Sequence, residues 1–187
     1  MSKEKSALLH RDPNYHYPVI VRGEGIYLYD DAGKRYIDGS AGATNVILGH
    51  GRRRIAEALA QQAETLAYVF STQFANQPAL ELADRIASIA PGDLNHVYFV
   101  SGGSEGNESA LKMVRQYHQQ RGNPNKRQVI ARWRSYHGAT LGALSLTGMP
   151  GLRRNFDSWL LPFPHIATCY PYRCPFQGCE GKCNLAC

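Results

Sequence analysis

At 187 residues the chain has the length of one ordinary domain, and a composition of 43% hydrophobic and 19% charged residues belongs to a folded globular protein, not to a disordered or fibrous one. The formal charge of +6 does not point to a nucleic-acid partner, because the basic residues are dispersed and the densest cluster, Arg52-Arg53-Arg54, opens a helix-like segment. No stretch approaches the ~20 apolar residues of a membrane span and MSKEKSALLHRDPNYHYP holds no apolar core of signal-peptide length, so a cytoplasmic protein without a membrane partner is expected.

In chain order, Gly25-Ile26-Tyr27-Leu28-Tyr29 and Arg35-Tyr36-Ile37-Asp38 are β-rich runs joined by a short glycine-containing connection, which predicts a hairpin. SAGATNVILGHG then reads as a glycine-punctuated loop, after which Ile55, Leu59, Ala63 and Leu66 recur at helical spacing. A second helix is expected from about Pro78, carrying Leu80, Leu82, Ala83, Ile86, Ala87 and Ile89 and stopping at Pro91-Gly92. His96-Val97-Tyr98-Phe99-Val100 reads as a buried strand, SGGSEGNE as a turn, Ser109 to Gln120 as a helix, Gln128 to Arg132 as another strand, and GATLGALSLTG as a small-residue helix.

Alternating strands and helices imply an α/β fold, a mainly parallel sheet covered by helices, with the hairpin outside that sheet. From Met149 the periodicity fades, and Pro162, Pro164, Pro171 and Pro175 mark a loop-like tail. The expected organisation is an N-terminal segment over 1–50, the first part of a larger domain over 51–160, and a cysteine- and proline-rich loop over 161–187.

Residues 101–109, SGGSEGNES, lie where the strand-like run meets the helix-like one. A turn feeding a helix presents free N–H groups and the positive end of the helix dipole, the arrangement a phosphate needs. Gly102 and Gly103 let backbone approach closely and Ser104 adds a hydroxyl donor, although a glycine-rich turn is often only a turn. The lysine of GxxxxGK[ST] is missing, which argues against an ATPase, and the GxGxxG spacing of a dinucleotide site is missing too. Trp133-Arg134-Ser135-Tyr136-His137-Gly138 follows the next strand and opens on the same sheet edge, so Tyr136 and His137 are either beside the cradle, with an aromatic ring to stack on a flat ligand, or ordinary packing residues.

These residues carry a resemblance. SGGSEGNESALKMVRQY followed by YHGATLGALSLTG, together with PVIVRGEGIYLYDDAGKRYIDGSAG and LGHG upstream, resembles the class III aminotransferases over about Pro18 to at least Phe156. The resemblance implies a pyridoxal 5'-phosphate-dependent transferase of fold type I, here its N-terminal portion, with Gly103 and Ser104 holding the cofactor phosphate, Tyr136 stacked on the pyridine ring and His137 beside it. Glu105 and Glu108 match acidic positions of the family motif, and Gly106 stands where alanine is usual. Ser40, Ala41 and Gly42 fall where the family reaches its substrate pocket, and Tyr68 to Phe70 where it approaches a partner subunit. The implied reaction passes an amino group from an amino-acid or amine donor to a keto-acid acceptor in a homodimer. The same scaffold also serves aminomutase and decarboxylase chemistry.

Such chemistry needs a Schiff-base lysine and an acid paired with the pyridine nitrogen, which the family carries far downstream of YHG. Lys3, Lys5, Lys34, Lys126 and Lys182 lie in terminal, turn or loop contexts and Lys112 among charged neighbours, so no catalytic residue is assigned and the chain alone is expected to be inactive, with an exposed sheet edge. The alternatives are a non-catalytic fragment that at most binds cofactor or a partner chain, and a metal-binding module. The latter would use Cys169, Cys174, Cys179, Cys183 and Cys187, whose steps of five, five, four and four do not match CxxC pairs; a structural loop with reduced thiols is the preferred reading and no metal ligand is assigned.

Overall fold

The computed structural model describes residues 7–174 and residue 176. The chain divides into two compact units, Met1–Glu81 and Leu82–Cys187.

The first unit contains an antiparallel sheet of β1 (Ile20–Glu24), β2 (Tyr27–Asp30) and β3 (Arg35–Ile37) in the order β1-β2-β3. The expected hairpin is thus β2–β3, with Tyr27 opposite Ile37 and Tyr29 opposite Arg35, and it has gained an N-terminal partner strand. The β2–β3 connection is held by Asp30. Its Oδ1 accepts the N–H groups of Ala32 (3.1 Å) and Lys34 (2.8 Å), and its Oδ2 accepts the Tyr36 hydroxyl at 2.8 Å. Asp38 does the same for the next connection, taking Gly42 N–H at 3.0 Å and lying 2.9 Å from His50 Nε2. Between them sits α1 (Ala41–Thr44), a single turn wound left-handed, with φ of 49° at Ala41, 59° at Gly42, 57° at Ala43 and 70° at Thr44. Three of these residues carry a Cβ, so the turn stores strain that the Asp38 contacts hold in place. Helix α2 (Arg53–Thr65) follows, on the predicted span.

Both carboxylates ionise more readily than usual. The Tyr36 hydroxyl, then the Lys34 and Ala32 amides, lower the Asp30 pKa against the opposing effect of burial, and the Gly42 amide and then His50 lower that of Asp38. A depressed folded-state pKa contributes stability above the unfolded carboxylate value and loses it as pH falls through the folded one. The β1–β3 sheet is therefore expected to lose stability below about pH 4. Thermal unfolding of the wild type and Asp30→Asn across acid pH checks this: the asparagine variant should show a flatter acid limb.

Helix α3 (Gln77–Ile89) comes next and stops ahead of Pro91-Gly92 as expected. In the second unit, α4 (Gly103–Gln120) starts inside the glycine-rich segment, six residues before the expected Ser109, because glycine and serine are tolerated in a first turn that makes no intrahelical N–H bonds. Beyond its last residue the chain is closed at Gly122, where Asn123 N–H bonds His118 O at 2.8 Å and Gly122 N–H bonds Gln119 O at 3.1 Å, the paired closure that a left-handed residue permits (φ 74°).

Strand β4 (Ala131–Trp133) is central in a parallel sheet ordered β5-β4-β6, with β5 (Thr147–Gly148) and β6 (His165–Ile166). Helix α5 (Leu141–Leu146) makes the crossover between β4 and β5, so only the middle of the expected small-residue helix is helical and its last two residues pair with β4. Helix α6 (Pro150–Arg153) follows directly. The expected strand His96–Val100 is not formed: these residues have no ladder partner among the described residues, and Tyr98, Phe99 and Val100 are exposed. An apolar run signals the interior of a parallel sheet, but a strand exists only where a neighbour supplies the hydrogen bonds. Among the described residues the buried apolar core is Ala131, Ala143, Leu144 and Leu146, so α5 and β4 carry it.

Candidate phosphate cradle and ring loop

The N-terminus of α4 brings together glycines, a serine hydroxyl and the amides of a first helical turn. Gly102 is its extended N-cap, and Glu105 Oε2 reaches back to Ser101 N–H at 2.7 Å, which squares off the entering chain. The amides of the first turn have no intrahelical acceptor and stand at the positive end of an 18-residue helix. A Cβ added at Gly102 or Gly103 meets nothing within 4 Å, so there is room above this turn. Ser104 Oγ accepts the Ala139 N–H at 3.1 Å, which leaves its own hydrogen to donate.

That last bond belongs to a seam between α4 and residues 137–143. Ser104, Asn107 and Glu108 share one face of the helix at spacings of three and four. Asn107 Nδ2 donates to His137 O at 2.6 Å; Glu108 Oε1 accepts the Thr140 hydroxyl at 2.7 Å, Gly142 N–H at 3.0 Å and Ala143 N–H at 3.2 Å. The opposing glycines explain how the backbones come so close. A Cβ at Gly138 would strike Ser104 Oγ, and one at Gly142 would strike the Glu108 carboxylate. The register is therefore Ser104 against Gly138 and Glu108 against Gly142, four residues apart on both sides.

Tyr136 and His137 sit in the loop between β4 and α5. Tyr136 is exposed, its ring available for stacking; His137 is half-buried with both backbone groups fixed, its N–H donating to Thr147 Oγ1 at 2.9 Å and its carbonyl taken by Asn107. The buried Thr147 hydroxyl also lies 3.0 Å from Gly138 O and 3.2 Å from Ala143 O, either of which takes its hydrogen. The far end of α5 is closed by Arg153, whose Nη1 lies 3.1, 3.0 and 2.9 Å from the carbonyls of Leu144, Ser145 and Thr147. A six-residue helix is thus held at its N-terminal end by a carboxylate and at its C-terminal end by a guanidinium, the signs its dipole favours.

Gly103, Ser104 and the loop bearing Tyr136 and His137 therefore meet through the Ser104–Ala139 bond. Ser40, Ala41 and Gly42 belong to the first unit, as do Tyr68 and Phe70, both exposed. Asn107, Thr147 and Arg153 carry no expectation from the sequence, although three polar residues at 104, 107 and 108 on a helix with apolar neighbours are a readable signal of a buried seam. The described lysines, Lys34, Lys112 and Lys126, are all exposed. No group of three or more His, Cys, Asp or Glu suited to a metal occurs among the described residues, where Cys169 is exposed and Cys174 half-buried; Cys179, Cys183 and Cys187 lie outside them. No helix among the described residues is long and apolar enough to cross a membrane.

The profile of the family Aminotransferase class-III matches residues 9–186. The chain is 49% identical over 141 residues to a probable aminotransferase of Mycobacterium tuberculosis, covering 75% of this chain and 30% of that protein. It is 40% identical over 155 residues to the putrescine–pyruvate aminotransferase of Pseudomonas aeruginosa, covering 82% and 34%. Among solved structures, the omega transaminase of Pseudomonas jessenii in complex with PMP matches with a TM-score of 0.82 and 40% identity over 87% of this chain and 36% of that one. The chain thus spans about a third of the length of the relatives it matches. Its fold is that of the fold type I pyridoxal-phosphate-dependent transaminases, and with residues 9–186 matched by the family profile the chain belongs to the class III aminotransferases.

Proposed function

We propose that this chain supplies the phosphate cradle and ring-stacking loop of a pyridoxal 5'-phosphate-dependent transaminase that passes an amino group from an amino-acid or amine donor to a keto-acid acceptor. The observation that carries this reading is the Ser104 Oγ to Ala139 N–H bond, which joins the open, donor-rich start of α4 to the loop holding Tyr136. The residues fit the group: first-turn amides with open space at Gly102 and Gly103, a Ser104 hydroxyl whose hydrogen is left to donate, and an exposed aromatic ring in the adjoining loop. When bound, the cofactor supplies a carbonyl to receive the amino group and a ring to take up electron density. Gly103 and Ser104 bind its phosphate, Tyr136 covers one face of its ring and keeps water from that face, and His137 borders it with its backbone locked.

An amine-to-keto-acid exchange is supported by the relative that pairs putrescine with pyruvate. The same reading takes residues 51–160 as the first part of the large cofactor-binding domain, and a cytoplasmic homodimer as the working form. The chain by itself is read as not turning over: among the described residues the lysines are Lys34, Lys112 and Lys126, which stand in a hairpin turn, along α4 and in the loop after it.

The test is calorimetric, with deoxypyridoxine phosphate as ligand because it lacks the aldehyde that would react with surface lysines. Wild type is expected to bind it far more tightly than unphosphorylated pyridoxine, and Ser104→Ala should weaken the phosphorylated ligand by about tenfold, the scale of one charge-assisted hydrogen bond. Equal affinity of the wild type for the two ligands would sink the reading.

A further inference from the structure

We infer that Glu108 is a positioning residue for the cofactor, its carboxylate setting the register between the phosphate donors at the start of α4 and the loop that carries Tyr136. This rests on the cofactor reading above.

Thr140 occupies the N-cap of α5 and has a side chain suited to capping it, yet it makes no cap bond to that helix. Its hydroxyl donates instead to Glu108 Oε1, and the same oxygen takes the two amides, Gly142 and Ala143, that a local cap would serve. The work of capping α5 has been moved onto α4. A local cap would stabilise α5 equally well and would leave it free to shift along its neighbour; a cap borrowed from α4 ties the two together.

The tie has a fixed length. Glu108 stands one helical turn from Ser104, so the oxygen that receives α5 and the Ser104 hydroxyl beside the open first turn are held on one rigid rod. The absence of a Cβ at Gly142 lets the carboxylate lie directly against the backbone, and Asn107 adds the His137 carbonyl to the same face. A ligand that touches only the cradle has no need of this tie. A ligand with a phosphate at one end and a ring at the other reads the distance between the two, and a shift of the loop costs it one contact or the other.

The test uses two probes on the full 187-residue chain: deoxypyridoxine phosphate and inorganic phosphate. Glu108→Ala is expected to weaken deoxypyridoxine phosphate by about tenfold while inorganic phosphate changes less than about twofold, because only the former spans the tie. Glu108→Gln keeps an amide oxygen able to accept from Gly142 and Ala143 and should recover most of the loss. Should circular dichroism find Glu108→Ala unfolded, Thr140→Val takes its place. It removes one donor to the same oxygen, and about a threefold loss confined to the two-ended probe is expected. Parallel losses for deoxypyridoxine phosphate and inorganic phosphate would mean that Glu108 merely stabilises the fold and would overturn the proposal, as would unchanged affinity for both. If the wild type binds neither phosphorylated probe, the cofactor reading itself falls and takes this proposal with it; if it binds them and the variants bind alike, only the role of Glu108 falls.

Discussion

Replacing Gly138 by alanine is expected to lower the melting temperature by roughly 10 °C and to weaken phosphorylated-ring binding with it. Two independent penalties meet at this residue. Its φ of 128° lies in a region that an L side chain rarely adopts, so any Cβ carries backbone strain. The added methyl would also strike Ser104 Oγ, and it would lie 2.8 Å from Ala143 Cβ and 3.0 Å from Ser104 Cβ. Nothing near it yields easily, because Ser104 is bonded to Ala139 and Ala143 is buried in the core. Together these are worth about 3 kcal/mol, toward the upper end for single substitutions. Calorimetric melting of the variant measures the loss, and a shift below about 2 °C would mean that the α4 seam gives way without cost.

Arg153→Met is the second large effect. Methionine retains the length of the apolar stem and loses every donor, leaving the carbonyls of Leu144, Ser145 and Thr147 without the guanidinium at the end of α5. The Arg153 side chain is 13% exposed, so water replaces the lost bonds poorly, and the favourable charge at the helix C-terminus disappears too. A destabilisation of about 2–3 kcal/mol is expected. Arg153→Lys should recover part of it, since an ammonium satisfies the dipole but lacks the planar fork. Amide exchange distinguishes this from a general loss of stability: the protection of Leu144 to Thr147 should fall before that of α4.

The helices α2 and α3 were legible because each is a long apolar stripe at helical spacing, and the β2–β3 hairpin because its turn chemistry is local. The α/β class followed from the alternation of elements, and fold type I from the family resemblance alone. His96–Val100 misled because an apolar run records a preference, while a strand requires a partner elsewhere in the chain. The start of α4 was misplaced because Gly102-Gly103 reads as a turn, and a helix that opens on glycine to leave its amides free looks the same in sequence as a loop. Gly103, Ser104, Tyr136 and His137 stood out as types suited to a phosphate and a flat ring. The residues that hold them did not: Asn107 and Thr147 act through backbone groups 30 and 10 positions away, and no local pattern reports which carbonyl a side chain will meet.

The seam between α4 and residues 137–143 also bears on the order in which the molecule assembles. Ser104 and Ala139 are 35 positions apart, whereas Asp30 and Tyr36 in the hairpin are separated by 6. Closing the longer span costs about 1.5 kcal/mol more chain entropy, before any contact in it repays that loss. On entropy alone the hairpin zips first and the seam closes late. A molecule that grips both sides of the seam therefore acts on one of the last steps of folding, so its concentration governs how much of the chain completes the journey.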